Sequence, residues 1–143
     1  MTMSVATRRQ VDQILVRARQ RFEAAERTAH RNDSQQGEFD NAYEGAVSGI
    51  NFVVEAFLLA STGTRRKVGE DDAPTLIRST CAGLSAKRIA CPDPMELCWE
   101  QTRRNASAHQ GDWASTLGPA DLERIAGLGS DLLVAVEAYL KST

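Results

Sequence analysis

The sequence predicts an all-α protein, an antiparallel bundle of about five helices in one domain. Three observations lead there. Apolar residues recur at helical spacing in five separate stretches. Capping signals stand in front of at least two of them. No stretch alternates apolar and polar residues in the manner of a strand.

The first helix is expected from about Ser4 to Ala29, where Val11, Ile14, Leu15, Ala18, Phe22, Ala25 and Ala29 make one stripe. Its other face carries Arg9, Arg17, Arg19, Glu23 and Glu26, mixed in sign, as a solvated face does. His30 falls where this helix frays and reads as a surface histidine. RNDSQQG, residues 31–37, is a loop by composition.

The second helix is expected from about Glu38 to Ser61. Phe39, Ala42, Tyr43, Ala46, Ile50, Val53, Phe57 and Leu58 form its stripe. Gly45, Ala46, Ser48 and Gly49 are small. Glycine inside a helix costs about 1 kcal/mol relative to alanine, so the pair implies close approach by another helix. Tyr43 reads as a core residue with a satisfied hydroxyl, and Glu55 as half-buried. The apolar run from Ile50 to Ala60 is interrupted by Asn51 and Glu55 and is short for a bilayer.

Gly63 suits a helix C-cap. Arg65, Arg66 and Lys67 follow as the densest basic run, a solvated loop or a phosphate contact. Asp71 or Asp72 caps a third helix with Pro74 in its first turn. Ala73, Leu76, Ile77, Thr80, Cys81 and Leu84 form its buried face. Asp93, Pro94 and Glu96 then have the spacing of a capping box with proline at the first helical position. That fourth helix is expected from Pro94 to about Ala106, with Met95, Cys98, Trp99 and Thr102 on its inner side. Trp99 reads as a core anchor, with base stacking as the alternative. Gly118 and Pro119 open the last helix, which runs to about Lys141.

Composition limits the function. The chain has 143 residues, 17 basic and 19 acidic, for a net charge of −2. No global basic field attracts nucleic acid, so any RNA contact must be local. The N-terminal stretch MTMSVATRRQVDQ lacks the apolar core of a signal peptide. Cys81, Cys91 and Cys98 lack paired metal-site spacing and nearby histidines, so reduced thiols in a cytoplasmic protein are expected, with no metal and no cofactor. Walker, HExxH and nucleophile-elbow motifs are all missing.

The stretch with chemical potential is Glu96 to Trp113, ELCWEQTRRNASAHQGDW, and within it Arg104, Asn105 and His109. Arginine is a permanent cation whose donor fork matches phosphate. Histidine gives or takes a proton near neutrality. Phosphodiester cleavage needs both functions. Five steps along a helix place two positions roughly 140° apart. The pair therefore converges more easily if the helix ends between them, with His109 at or just past its end. The surrounding Asn105, Ser107, Gly111 and Asp112 allow such an ending. Taken as residue types alone, the pair reads first as an ordinary surface arginine and a loop histidine. Trp113 beyond it is placed either on the bundle or against a ligand.

RNASAH, near the end of a helix in a small helical domain, resembles the HEPN family, whose motif is Arg, four to six residues, then His, with a polar residue often following the Arg. FDNAYEGAVSGINFVVEAFLLASTG, residues 39–63, resembles that family's helix rich in small residues. The resemblance implies a metal-independent endoribonuclease working at a composite site across a homodimer interface. It implies Arg104 as phosphate clamp, His109 as proton-transfer group and Asn105 as an orienting group, with a 2′,3′-cyclic phosphate and a 5′-hydroxyl as products. It implies RNA, a second copy of the chain and an antitoxin or regulatory protein as partners, as for a toxin or antiphage effector, and no membrane. The residues after His109 are Gln110, Gly111, Asp112 and Trp113, so the Tyr-x-Tyr element found in some of these toxins is absent. Two other readings stay open: a non-catalytic HEPN module binding RNA, nucleotide or a protein, and a helical interaction domain without nucleic acid.

Overall fold

In the computed structural model, the backbone is described for residues 3–110 and 117–143, and the side chains for 3–103 and 117–143. Five helices follow in order: α1 (Val5–His30), α2 (Gln36–Thr62), α3 (Ala73–Ala86), α4 (Pro94–Gln110) and α5 (Pro119–Lys141). No strand occurs among the described residues. The all-α expectation is therefore met.

The helix boundaries follow local chemistry. Ser4 caps α1, its side chain accepting from the Thr7 N–H at 3.1 Å. Glu38 reaches back to the Gln35 N–H at 3.1 Å and opens α2 earlier than expected. Gly63 closes α2 in the left-handed conformation, φ 79°, where a side chain would be strained. Asp72 holds the N-cap position of α3, but its carboxylate makes no cap bond there. It accepts instead from the Gly69 N–H at 2.8 Å and pairs with Arg66 at 3.1 Å. The Asp93 carboxylate accepts from the Met95 N–H at the start of α4.

Helices α1, α2 and α5 pack against one another as the main core, and α3 and α4 pack together beside it. Phe22 of α1 sits at the centre. A Cβ placed on Gly49 of α2 would stand 2.7 Å from its ring, and one on Gly129 of α5 only 2.2 Å. The ring is clamped between two helix backbones. The small residues of α2 thus serve α1 of the same chain, the close approach by another helix that they implied. Gly83 of α3 receives the Phe57 ring in a similar way, at 2.8 Å.

By length and composition α2 is apolar enough to cross a membrane, a broader apolar stretch than Ile50 to Ala60 suggested. As the central helix of the bundle it has 56% of that window buried against its neighbours. Glu55, expected half-buried, is 4% exposed. The backbone N–H of Val68 bonds its carboxylate, and Val68 is itself buried, so Glu55 anchors the loop carrying Arg65, Arg66 and Lys67. Burial pushes this carboxyl above its ordinary range, partly countered by the Val68 N–H and the charges of Arg65 and Lys67.

The inner face of α4 differs from the expected one. Met95 and Trp99 are 76% and 56% exposed, and Thr102 is exposed too. Cys98 faces the bundle as expected, and Leu97, Glu100 and Gln101 do so in place of the other three. The helix is turned so that polar side chains point inward, which only partners on other helices can compensate.

Candidate functional site

Helix α4 carries the motif region, and α2 and α5 hold α4 in place. Glu100, 2% exposed, is bonded from two sides. The Tyr43 hydroxyl of α2 donates to its Oε2, and the Arg124 Nε of α5 donates to its Oε1 at 2.7 Å. Tyr43 is the buried, satisfied core tyrosine that its sequence position suggested. Gln101 donates from Nε2 to the Asn51 Oδ1 at 2.7 Å, a second polar tie between α4 and α2.

Asp121 joins the same cluster from the first turn of α5. Its Oδ2 accepts the Gly118 N–H at 2.9 Å and so caps its own helix. Its Oδ1 accepts from Arg103 Nη1 at 2.9 Å and Arg124 Nη2 at 3.2 Å. Burial works against the Asp121 carboxylate, but the Gly118 N–H and the Arg103 and Arg124 guanidinium groups outweigh it and hold its pKa below the usual range. Burial likewise opposes the Arg124 charge, and the Glu100 and Asp121 carboxylates outweigh that too. The Arg103 guanidinium also lies 5.7 Å from the Tyr43 ring centroid and 5.4 Å from that of Trp99, within cation–π range.

Among the described residues, two arginines therefore face two carboxylates, and their charges balance. As described, the cluster is a clamp that fixes α4, because Arg103 and Arg124 are already engaged by anions. The clamp stands at the end of the bundle where α2 and α5 begin. Gln36 Nε2 donates to the Leu117 carbonyl there at 3.2 Å, and His30, exposed at the end of α1, is 3.7 Å from Glu123.

The backbone of α4 continues as helix through Gln110. This corrects the expectation that the helix ends near Ala106, between Arg104 and His109; position 109 lies within the last turn of α4. Positions 104 and 109 both belong to α4, and in an unbroken helix five steps separate them by roughly 140° about the axis. The side chains of Arg104, Asn105 and His109, and Trp113 altogether, lie outside the described residues. No group of three or more metal-ligating side chains forms among the described residues.

Glu100, Gln101, Asp121 and Arg124 were missed by the sequence reading. A weak signal was present: Glu100 precedes Arg103 by three positions, and Asp121 precedes Arg124 by three, the spacing of helical ion pairs. The Asp121–Arg124 pair forms within α5, and the structure adds two pairs between α4 and α5, Arg103 with Asp121 and Arg124 with Glu100. Among known proteins, the chain matches no family model, no curated protein and no solved structure.

Proposed function

We propose that the chain is a metal-independent endoribonuclease of HEPN type. Arg104 grips the scissile phosphate, His109 transfers the proton, and Asn105 orients one of these or the phosphate. The 2′-hydroxyl attacks phosphorus, the bond to the 5′-oxygen breaks, and a 2′,3′-cyclic phosphate and a 5′-hydroxyl result. A base must take the 2′-proton and an acid must supply one to the leaving oxygen. One histidine fills one of these roles at a time, so a second copy of the chain completes the site. The roughly 140° between positions 104 and 109 suits a site shared between two copies better than one within a single chain.

The observation that carries this reading is Trp99. It is a large aromatic side chain left 56% exposed on α4, the helix that carries the Arg104 motif, with the Arg103 guanidinium 5.4 Å from its ring centroid, beside a helix segment pinned by the Glu100 and Asp121 bonds. An exposed ring on the helix that carries a phosphate-binding arginine offers a base somewhere to stack while the phosphate is held. A rigid support is also what positions reacting groups closely enough.

The second reading is a non-catalytic HEPN module that binds RNA, nucleotide or a protein partner. The close packing of Phe22 on Gly49 favours it, because the small-residue patch is already filled within the chain. Without a dimer, a lone histidine is left with two proton transfers.

RNA incubated with pure protein in EDTA separates the readings. Wild type should cut, and His109→Ala should retain at most about a hundredth of the activity, since acid–base groups contribute about 10²–10⁴-fold. Arg104→Lys should also fail, because an ammonium lacks the planar fork. Cleavage that needs a divalent metal and survives His109→Ala refutes the ribonuclease reading. Binding without cleavage by wild type supports the module.

A further inference from the structure

The chemistry of Cys81 and Cys91 is independent of the Arg104 motif. Cys81 lies on α3 and is buried, and Cys91 lies ten residues later in the connection to α4, half-buried. The turn between them explains why they meet. After α3, the Arg88 N–H bonds to the Ser85 carbonyl and the Ile89 N–H to the Leu84 carbonyl, both close to 3 Å. Arg88 adopts φ 59°, the one left-handed non-glycine residue among those described. This closing turn reverses the chain and returns residue 91 to the side of α3 that carries residue 81.

The two Sγ atoms are 3.0 Å apart. A disulfide bond is about 2.05 Å long, so closure asks for a movement of roughly 1 Å. We propose that Cys91 and Cys81 are a site of reversible oxidation, at which a hydroperoxide closes an intrachain disulfide between α3 and the α3–α4 connection.

The environments of the two sulfurs divide the roles. The hydrogen bond with Cys91 and then burial push the Cys81 thiol well above its ordinary range. The same hydrogen bond lowers Cys91, outweighing its own burial. Cys91 is thus the sulfur that ionises, and a thiolate is the nucleophile. It also lines a groove of about 450 Å³ with Ile89, Pro92, Val134 and Ala138, which gives a small peroxide access. The Cys98 thiol is engaged elsewhere, donating to the Pro74 carbonyl oxygen at 3.6 Å.

The Cys91 thiolate attacks the nearer peroxide oxygen. The O–O bond breaks, and after protonation a sulfenic acid and water (or an alcohol) result. The Cys81 sulfur then attacks the Cys91 sulfur, the S–O bond breaks, and water leaves with the Cys81 proton. Two thiols lose two electrons in all, and the peroxide gains them.

The test uses the full chain, reduced, then exposed to hydrogen peroxide, alkylated and analysed by mass. The expected product has lost two hydrogens, keeps one alkylatable thiol at Cys98, and reverts with dithiothreitol. Fragmentation of the linked peptides should place the bond between Cys81 and Cys91. Cys98→Ser should form the same disulfide with no thiol left to alkylate, whereas Cys81→Ser should stop at a Cys91 sulfenic acid that dimedone traps. The proposal is overturned if wild type accumulates sulfenic or sulfinic acid on Cys91 with Cys81 still alkylatable. A bond to Cys98, or one between two chains, overturns it equally. The wild-type peptide map decides the matter even if a variant fails to fold.

Discussion

Glycine-to-alanine changes at two nearby positions of α5 should shift stability in opposite directions. In a helix interior, alanine is favoured over glycine by about 1 kcal/mol. At Gly127 nothing stands within 4 Å of an added Cβ, so Gly127→Ala should gain up to about that amount. At Gly129 the added carbon would lie 2.2, 2.4 and 2.8 Å from three ring atoms of Phe22. Carbon atoms prefer about 3.5–4.0 Å, so the ring must retreat by more than about 1 Å. It cannot retreat freely, because it already presses on Gly49 of α2. Overpacking of this kind costs about 1–3 kcal/mol. The helix-propensity gain is common to both substitutions, so the difference between the two variants isolates the clash. That difference should be about 1–3 kcal/mol, with Gly129→Ala the less stable. Urea unfolding followed by circular dichroism at 222 nm measures it, with the slope m unchanged. In a chain of this size it corresponds to a Tm gap of roughly 4–12 °C. Phe22→Leu should relieve the strain, so that the double variant with Gly129→Ala is more stable than the two single changes predict by addition. If Gly129→Ala stabilises as much as Gly127→Ala, Phe22 is not clamped between α2 and α5 and the packing argument is wrong.

Two further predictions concern buried polar groups. Burial raises the folded-state pKa of Glu55 above its unfolded value, so the stability it contributes is fully present below the unfolded pKa and is lost as pH rises through the folded one. Glu55→Gln keeps an acceptor for the Val68 N–H without the charge. It should raise the Tm at pH 7, with the gain shrinking toward pH 4, and a gain that is constant with pH would contradict the assignment. Tyr43→Phe deprives the buried Glu100 carboxylate of one donor and should cost about 1–3 kcal/mol, read as a fall in the urea midpoint. An unchanged midpoint would mean that the hydroxyl contributes nothing to holding α4.

Sequence alone determined the five helices, because helical periodicity and caps are local properties. The stripe of α1 from Val11 to Ala29 is buried in full, as its spacing required. Gly63 closes α2 as its lack of a side chain allows, and Pro119 opens α5. The position of the Arg104 motif on the fourth helix was legible for the same reason.

Tertiary structure decided which face of α4 is buried. Trp99 and Met95 look like core residues by hydrophobicity, and Glu100 and Gln101 look like surface. The outcome is the reverse, because Glu100 finds Tyr43 57 residues away and Arg124 24 residues away, and Gln101 finds Asn51. A buried carboxylate is affordable only with such partners, and no local pattern announces them. The extent of α4 through Gln110 was likewise hidden, since Asn105 and Ser107 favour local bonds that end a helix yet do not forbid its continuation. The glycines of α2 signalled close packing but not its object. That object is Phe22 of the same chain, brought there by the antiparallel course of α1 and α2, which residue spacing along α2 does not encode.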